Sequence, residues 1–130
     1  MTRPLPEGVQ LVLASGSPRR HQLLRTLGLR VHARAADVDE TPVPGEAAEA
    51  YVRRLAVAKA RAVAAALQEV AGALPPVLGS DTTVTIDGEI LGKPADRADA
   101  VAMLLRLSGR VHEVLTAVAV VTAEGVVERL

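Results

Sequence analysis

Residues 75–91 read P-P-V-L-G-S-D-T-T-V-T-I-D-G-E-I-L and contain the clearest structural signal in the chain. The apolar run after the two prolines predicts a buried central strand whose carboxyl end lies at Asp81. Beyond it, T-T-V-T-I and E-I-L flank Asp87-Gly88, the two-residue turn signal of a β-hairpin. This stretch therefore predicts a sheet that contains both a buried strand and an antiparallel pair.

Toward the N-terminus, the pattern predicts a strand, a helix and a second strand. The apolar residues 9–14 end at S-G-S-P, which is typical of a buried strand followed by a helix start. The helix is predicted over residues 18–27 and ends before Gly28. Residues 29–36 alternate loosely as a second strand, and residues 37–45, with two prolines, form a loop.

The remaining segments predict two more helices and two more strands. Residues 46–71 are rich in Ala and lack Pro and Gly, and they predict the longest helix. Its apolar positions at helical spacing are Tyr51, Leu55, Ala58, Ala62 and Ala66. A third helix is predicted over residues 96–107, with Asp96 as its N-cap, and residues 111–122 form a long strand. Gly125 then turns the chain into a final strand.

The predicted element order, β-α-β-α-β-β-α-β-β, combines crossover helices with a hairpin. It predicts an α/β three-layer sandwich with a mixed sheet. A length of 130 residues fits one domain over residues 1–130. The last strand leaves a sheet edge uncovered, and we expect further sequence or a second copy of the chain, as in a homodimer, to cover it.

Composition excludes several classes of function. Fifteen Lys and Arg residues balance fifteen Asp and Glu residues, so no net field attracts nucleic acid or an anionic membrane. Tyr51 is the one aromatic residue, which argues against single-stranded nucleic-acid binding through base stacking. The absence of Cys excludes disulfides, zinc ribbons and thiol nucleophiles. Since the start lacks a secretory signal and no apolar run reaches membrane-spanning length, we expect a cytoplasmic protein.

The first predicted helix begins with features that suit an anion. Ser17 occupies the N-cap position and Pro18 the first helical position, so Arg19 and Arg20 lie in the first turn. Cations there oppose the helix dipole unless an anion binds at the helix N-terminus. The alternatives are a phosphate site and two ordinary solvated arginines.

Lysine is rare in the chain, occurring only at Lys59 and Lys93. Lys59 lies on or beside the apolar stripe of the long helix, so its ammonium must reach solvent or meet a carboxylate or a phosphate. Reaching solvent is the commoner outcome for a single lysine. Lys93 stands between a strand and a helix, where it either leans over the mouth of the sheet or is an exposed loop residue.

Two acids complete the candidate site. Asp81 is predicted at the carboxyl end of a strand, the edge at which α/β sheets bind ligands, and Glu40 lies on a loop that could approach the same edge. Paired carboxylates without a His or Cys cluster suit Mg²⁺ or Mn²⁺ that bridges substrate phosphates. Separately, each acid would be ordinary polar surface. The histidines are scattered and are interpreted as surface or structural residues.

Six blocks occur in an order that resembles the Maf family of nucleoside triphosphate pyrophosphatases. They are A-S-G-S-P-R-R, D-E-T, Y-V-x-R-L-A-x-x-K-A, G-S-D-T-x-V, L-G-K-P and L-S-G-x-x-H-x-V-x-T, and the resemblance extends over residues 9–130. It implies a fold similar to inosine triphosphate pyrophosphatases. It also implies metal-dependent hydrolysis of a nucleoside triphosphate substrate to the monophosphate and pyrophosphate.

The resemblance also implies roles for individual residues. Asp81 matches the general base or metal ligand, and Glu40 matches the second acidic residue. The substrate-binding residues implied are Ser15, Arg19, Arg20, Lys59, Thr82 and Lys93, with Arg19 and Thr82 at positions associated with substrate choice. S-P-R-R and G-x-D-T favour the branch that acts on dTTP and UTP.

Two alternatives to that branch remain open at this point. One is the 7-methyl-GTP branch, and the other is a non-catalytic nucleotide-binding protein linked to septum formation. Family members continue beyond the region matched here, with a Gln-containing segment that contributes to the nucleotide pocket. The resemblance therefore assigns part of the nucleotide pocket to sequence beyond the matched region.

Overall fold

The computed structural model describes residues 5–68, 73–92 and 94–130 of the chain. Its helices and strands follow the predicted order. They are β1 (Leu11–Ala14), α1 (Pro18–Thr26), β2 (Val31–Ala33), α2 (Ala48–Gln68), β3 (Val77–Ile86), β4 (Glu89–Leu91), α3 (Arg97–Leu107), β5 (Glu113–Thr122) and β6 (Gly125–Arg129). The predicted N-caps are also confirmed, since Ser17 accepts a hydrogen bond from the Arg20 amide and Asp96 from the Asp99 amide.

The sheet is mixed, as predicted. Its strand order is β2-β1-β3-β5-β6, and β4 pairs with β3 in the hairpin that turns at Asp87-Gly88. The strand β1 runs parallel to β2 and β3, whereas β5 runs antiparallel to β3 and β6. The parallel part of the sheet therefore meets its antiparallel part at β3, the strand in the middle of this order.

The two faces of the sheet are covered unequally. The helix α2 buries one face, and its buried side chains are Tyr51, Val52, Leu55, Ala56, Ala60, Val63 and Leu67. On the other face Arg20 of α1 contacts Thr82, and α3 borders a cavity with Val84, but neither α1 nor α3 has a buried residue. Val114 is 57% exposed on that face. The architecture is a three-layer α/β arrangement with one well-packed layer.

Helix length and composition also bear on membrane insertion. Within residues 5–68, 73–92 and 94–130, none of the helices combines the length and the apolar character needed to cross a bilayer.

The central strand is longer than the sequence predicts. The prediction that it ends at Asp81 is wrong, because β3 continues to Ile86 through β-branched residues that favour extended backbone. These residues pair with β5 in an antiparallel ladder that extends to Thr85. The neighbouring β1 ends at Ala14, opposite Gly79, so Asp81 stands beyond the end of β1 in the middle of its own strand.

Other elements, in contrast, are shorter than predicted. The strand β2 covers only residues 31–33 of the predicted 29–36, because β1 offers it a ladder of three residue pairs. The helix α2 begins at Ala48 rather than at residue 46. The predicted C-terminal end of this helix, at residue 71, lies outside the described residues.

The late start of α2 has a cause in the loop that precedes it. The Glu46 carboxylate accepts hydrogen bonds from the Val43 amide at 3.1 Å and from Arg54 Nε at 2.8 Å. Arg54 also donates to the Thr41 carbonyl at 3.2 Å. Glu46 therefore ties the loop to the second turn of α2 instead of forming the first turn itself. The hydrogen bond from Arg54, and then that from the Val43 amide, lower the pKa of Glu46 to about 2.

The helix α2 lies very close to the backbone of the sheet at Gly79. A Cβ atom added there would lie 2.3 Å from the Ala56 carbonyl oxygen and 2.8 Å from the Ala60 amide nitrogen. Both are backbone atoms, which cannot move aside as a flexible side chain would. The position therefore requires glycine for packing, not for its backbone conformation.

We predict that Gly79→Ala lowers the free energy of unfolding by about 3 kcal/mol, the upper end of the usual cost of overpacking. The matched control is Gly92→Ala, where an added Cβ meets no atom within 4 Å, and it should change stability by less than about 0.5 kcal/mol. Urea denaturation of both variants measures the difference. Equal stabilities would show that α2 is not seated on the Gly79 backbone.

We also predict that Glu46 makes stability depend on pH in acid. Because the folded state holds its pKa near 2 against an ordinary 4.5, its contribution is complete above pH 4.5 and is lost as the pH falls toward 2. Glu46→Gln should therefore lower the melting temperature at pH 6 and flatten its decline between pH 4.5 and 2. Glu124→Gln, in the exposed β5–β6 turn, is the control and should keep the wild-type slope. A wild-type slope in Glu46→Gln would contradict the assignment.

Candidate active site

A cavity of about 380 Å³ opens where β1 ends and β3 continues. The loop after β1, residues 15–17, forms one side of it, and the loop after β2 together with α2 forms another. Its polar lining includes Ser15, Arg20, Glu40, Lys59, Asp81 and Thr82. The carboxyl end of a parallel strand is the edge at which α/β sheets bind ligands.

Lys59 joins the two acids of the cavity. Its Nζ lies 2.9 Å from Asp81 Oδ1 and 3.2 Å from Glu40 Oε1. The Lys59 side chain is only 15% exposed, so its charge needs partners, and the two carboxylates supply them. The sequence left open whether the Lys59 ammonium reaches solvent, a carboxylate or a phosphate, and in the structure it pairs with two carboxylates.

The charge state of this trio follows from its contacts. Burial by itself lowers the pKa of Lys59, but the hydrogen bond and charge of Asp81, together with those of Glu40, outweigh burial and raise it above the ordinary value. Lys59 is therefore protonated at neutral pH. Its ammonium thus faces the two carboxylates across 2.9 Å and 3.2 Å at the edge of the cavity.

Tyr51 fixes the loop from which Glu40 projects. Its hydroxyl donates a hydrogen bond to the Glu40 backbone carbonyl at 2.6 Å. Burial, and then the charges of Asp81 and Glu40, raise the pKa of Tyr51, so it remains a donor. The sequence placed Tyr51 only on the apolar stripe of the helix. The available signal was that this single aromatic residue lies two turns before Lys59 on the same helix.

The opposite side of the cavity is formed by the start of α1. The Ser15 hydroxyl accepts a hydrogen bond from the Ser17 amide at 3.1 Å, which shapes the loop before the helix. Arg20 Nη2 donates to the Thr82 hydroxyl at 2.9 Å, which directs the guanidinium toward β3. Thr82 and Asp81 are successive residues of one strand, so they reach the cavity from opposite faces of the sheet.

The structure brings most of the predicted residues together. Six of the eight line the same cavity, namely Ser15, Arg20, Glu40, Lys59, Asp81 and Thr82. Arg19 is exposed and is absent from that lining, so of the two arginines it is Arg20 that lies at the cavity. Lys93 lies outside the described residues.

The acids of the cavity can be compared with the needs of a divalent metal. Within the part of the chain that the structure describes, no three His, Cys, Asp or Glu side chains gather into a metal-binding group. Mg²⁺ does not need such a group, because one or two carboxylates with substrate phosphates and water complete its octahedral shell. Glu40 and Asp81 fit that mode, in which a metal binds together with a phosphorylated substrate.

Comparison with solved structures finds a distant likeness. A dITP/XTP pyrophosphatase from Mycobacterium abscessus aligns with 92% of this chain and 69% of its own, at a TM-score of 0.47 and 21% sequence identity. Both the TM-score and the sequence identity are low.

Sequence comparisons are closer. A dTTP/UTP pyrophosphatase of Burkholderia orbicola is 57% identical over 121 residues, which cover 88% of this chain and 58% of that protein. A protein of the same name from Burkholderia pseudomallei is 60% identical over 121 residues, covering 87% and 57%. The chain thus spans 58% and 57% of the lengths of these two relatives. A model of the Maf-like proteins matches residues 10–129, and the chain belongs to the Maf family.

Proposed function

We propose that this chain contributes the catalytic site of a nucleoside triphosphate pyrophosphatase that hydrolyses dTTP and UTP to the monophosphate and pyrophosphate. The observation that supports it most directly is the cavity in which Lys59 joins Asp81 and Glu40 opposite Arg20. The names of the two Burkholderia relatives support the choice of substrates. Because the chain spans little more than half of each relative, its activity on its own is part of the proposal.

In this proposal the cationic residues act on the phosphate oxygens, and the acidic residue Asp81 acts on the attacking water. Arg20 contacts oxygens of the triphosphate and stabilises the negative charge of the transition state, and Arg19 and Lys93 are proposed to add positive charge from outside the described cavity lining. Lys59 also holds Asp81 in place through the bond to Oδ1. Asp81 orients a water molecule and accepts its proton at Oδ2 as the water oxygen attacks the α-phosphorus. The bond from the α-phosphorus to the bridging oxygen breaks, and pyrophosphate leaves with that oxygen.

We propose that Glu40 and Asp81 also hold a divalent cation, Mg²⁺ or Mn²⁺, when a nucleotide is bound. Such an ion would neutralise phosphate oxygens. The two carboxylates at this edge of the cavity support this, since carboxylate oxygens are ligands that both ions prefer.

The test of the function is pyrophosphate release by the chain from dTTP, UTP and 7-methyl-GTP, each in Mg²⁺ and in Mn²⁺. We expect faster release from dTTP and UTP. Preference for 7-methyl-GTP would assign the chain to the other branch. Nucleotide binding without pyrophosphate release would contradict the catalytic proposal and support the non-catalytic alternative.

We predict that Asp81→Asn lowers kcat per folded molecule by at least about a hundredfold, the usual contribution of a positioned general base. Nucleotide binding should survive because the substitution removes a negative charge near the triphosphate. The matched control is Asp87→Asn, in the turn directly after the same strand, where the carboxylate pairs with Arg110 on the surface. It should keep wild-type kcat. Near wild-type kcat in Asp81→Asn would remove Asp81 from the reaction.

Metal removal provides a separate prediction. EDTA should abolish pyrophosphate release, and added Mg²⁺ or Mn²⁺ should restore it. Glu40→Gln should raise the metal concentration needed for half-maximal rate by about tenfold, whereas the exposed Glu124→Gln should leave that concentration unchanged. Full activity in EDTA would exclude the two-carboxylate metal site.

A further inference from the structure

Arg20 is held by a hydrogen-bonded series that begins on a third element, β5. Thr116 of β5 is the register partner of Thr82 on β3. The two Oγ1 atoms lie 3.0 Å apart, and Thr82 Oγ1 accepts a hydrogen bond from Arg20 Nη2 at 2.9 Å. The series runs from Thr116 through Thr82 to the guanidinium that lines the cavity.

The surroundings show why these bonds matter for the position of Arg20. Thr82 and Thr116 are both exposed, so packing contributes little to fixing their side chains. A β-branched residue in a strand has a restricted χ1 angle, which makes the Thr82 oxygen a well-placed acceptor. The remaining freedom is rotation of its hydroxyl, and the bond to Thr116 restricts that rotation.

The chemistry of the two anchors is also specific. Among the described residues, none of the ion pairs involves Arg20. A carboxylate anchor would cancel the positive charge of the guanidinium, whereas a hydroxyl orients it and leaves the charge available to an anion. Within the described part of the chain, Thr82 uses one of its five N–H groups, and the others can donate to phosphate oxygens.

We propose that Thr116 is a positioning residue, which fixes the Arg20 guanidinium toward the triphosphate through Thr82. The proposal rests on the proposed function for the identity of the anion that Arg20 meets. The bonds that position Arg20 do not depend on that function.

The first experiment measures the position of Arg20 without a substrate. In the ¹⁵N-labelled chain, the hydrogen bond to Thr82 should slow rotation of the Arg20 guanidinium and give distinct Nη signals. Thr116→Val, which removes the hydroxyl and keeps the β-branched shape, should average these signals, and Thr116→Ser should restore them. The control Thr122→Val removes a hydroxyl from the far end of the same strand and should change nothing at Arg20. Wild-type Arg20 signals in Thr116→Val would overturn the proposal.

The second experiment is kinetic. Thr116→Val should raise the KM for dTTP about fivefold and change kcat by less than twofold, with Thr116→Ser near wild type and Thr122→Val unchanged. In an Arg20→Ala background, Thr116→Val should have no further effect, because Thr116 acts through Arg20. Additive effects would show an independent role and overturn the proposal. If the wild-type chain releases no pyrophosphate, the proposed function fails, and the Arg20 signals alone decide the positioning role.

Discussion

The arrangement of the site depends on the absence of a side chain at residue 79. Since a Cβ atom there would lie 2.3 Å from the Ala56 carbonyl, α2 rests directly on the β3 backbone. Lys59 is one turn along from Ala56 and Asp81 is two residues along from Gly79, so the same approach brings the ammonium within 2.9 Å of the carboxylate. A larger separation of helix and strand would break the pair between Lys59 and the buried Asp81, which is costly. Packing and electrostatics therefore depend on one glycine.

The site also depends on the difference in length between β1, which has 4 residues, and β3, which has 10. Two successive residues of a strand point to opposite faces, so Asp81 and Thr82 would ordinarily be separated by the sheet. Because the pairing of β1 with β3 ends at Ala14, the loop after β1 can line a cavity together with Asp81 and Thr82. The acids and Lys59 reach the cavity from the face covered by α2. Arg20 reaches it from the other face, where it contacts Thr82.

Local signals were sufficient for much of the fold but not for the site. The Asp87-Gly88 turn and the Ser17 cap depend on a few adjacent residues, and both were predicted. The extent of β3 was not, because its continuation past Asp81 depends on pairing with β5, which begins only at Glu113. For the same reason the sequence indicated that Lys59 needed a partner without identifying which one. Thr116 lay within a family block but has a role only through a cross-strand contact.

The net charge of the whole chain is zero, so attraction of a polyphosphate has to arise locally. Within the cavity, Lys59 does not supply it, since its ammonium is paired with two carboxylates. Arg20 is different, because its contact in the described cavity is a neutral hydroxyl. One half of the site is thus suited to a cation and the other to an anion. A metal-bound nucleotide, which presents both charges together, matches that division better than a free cation or a free phosphate would.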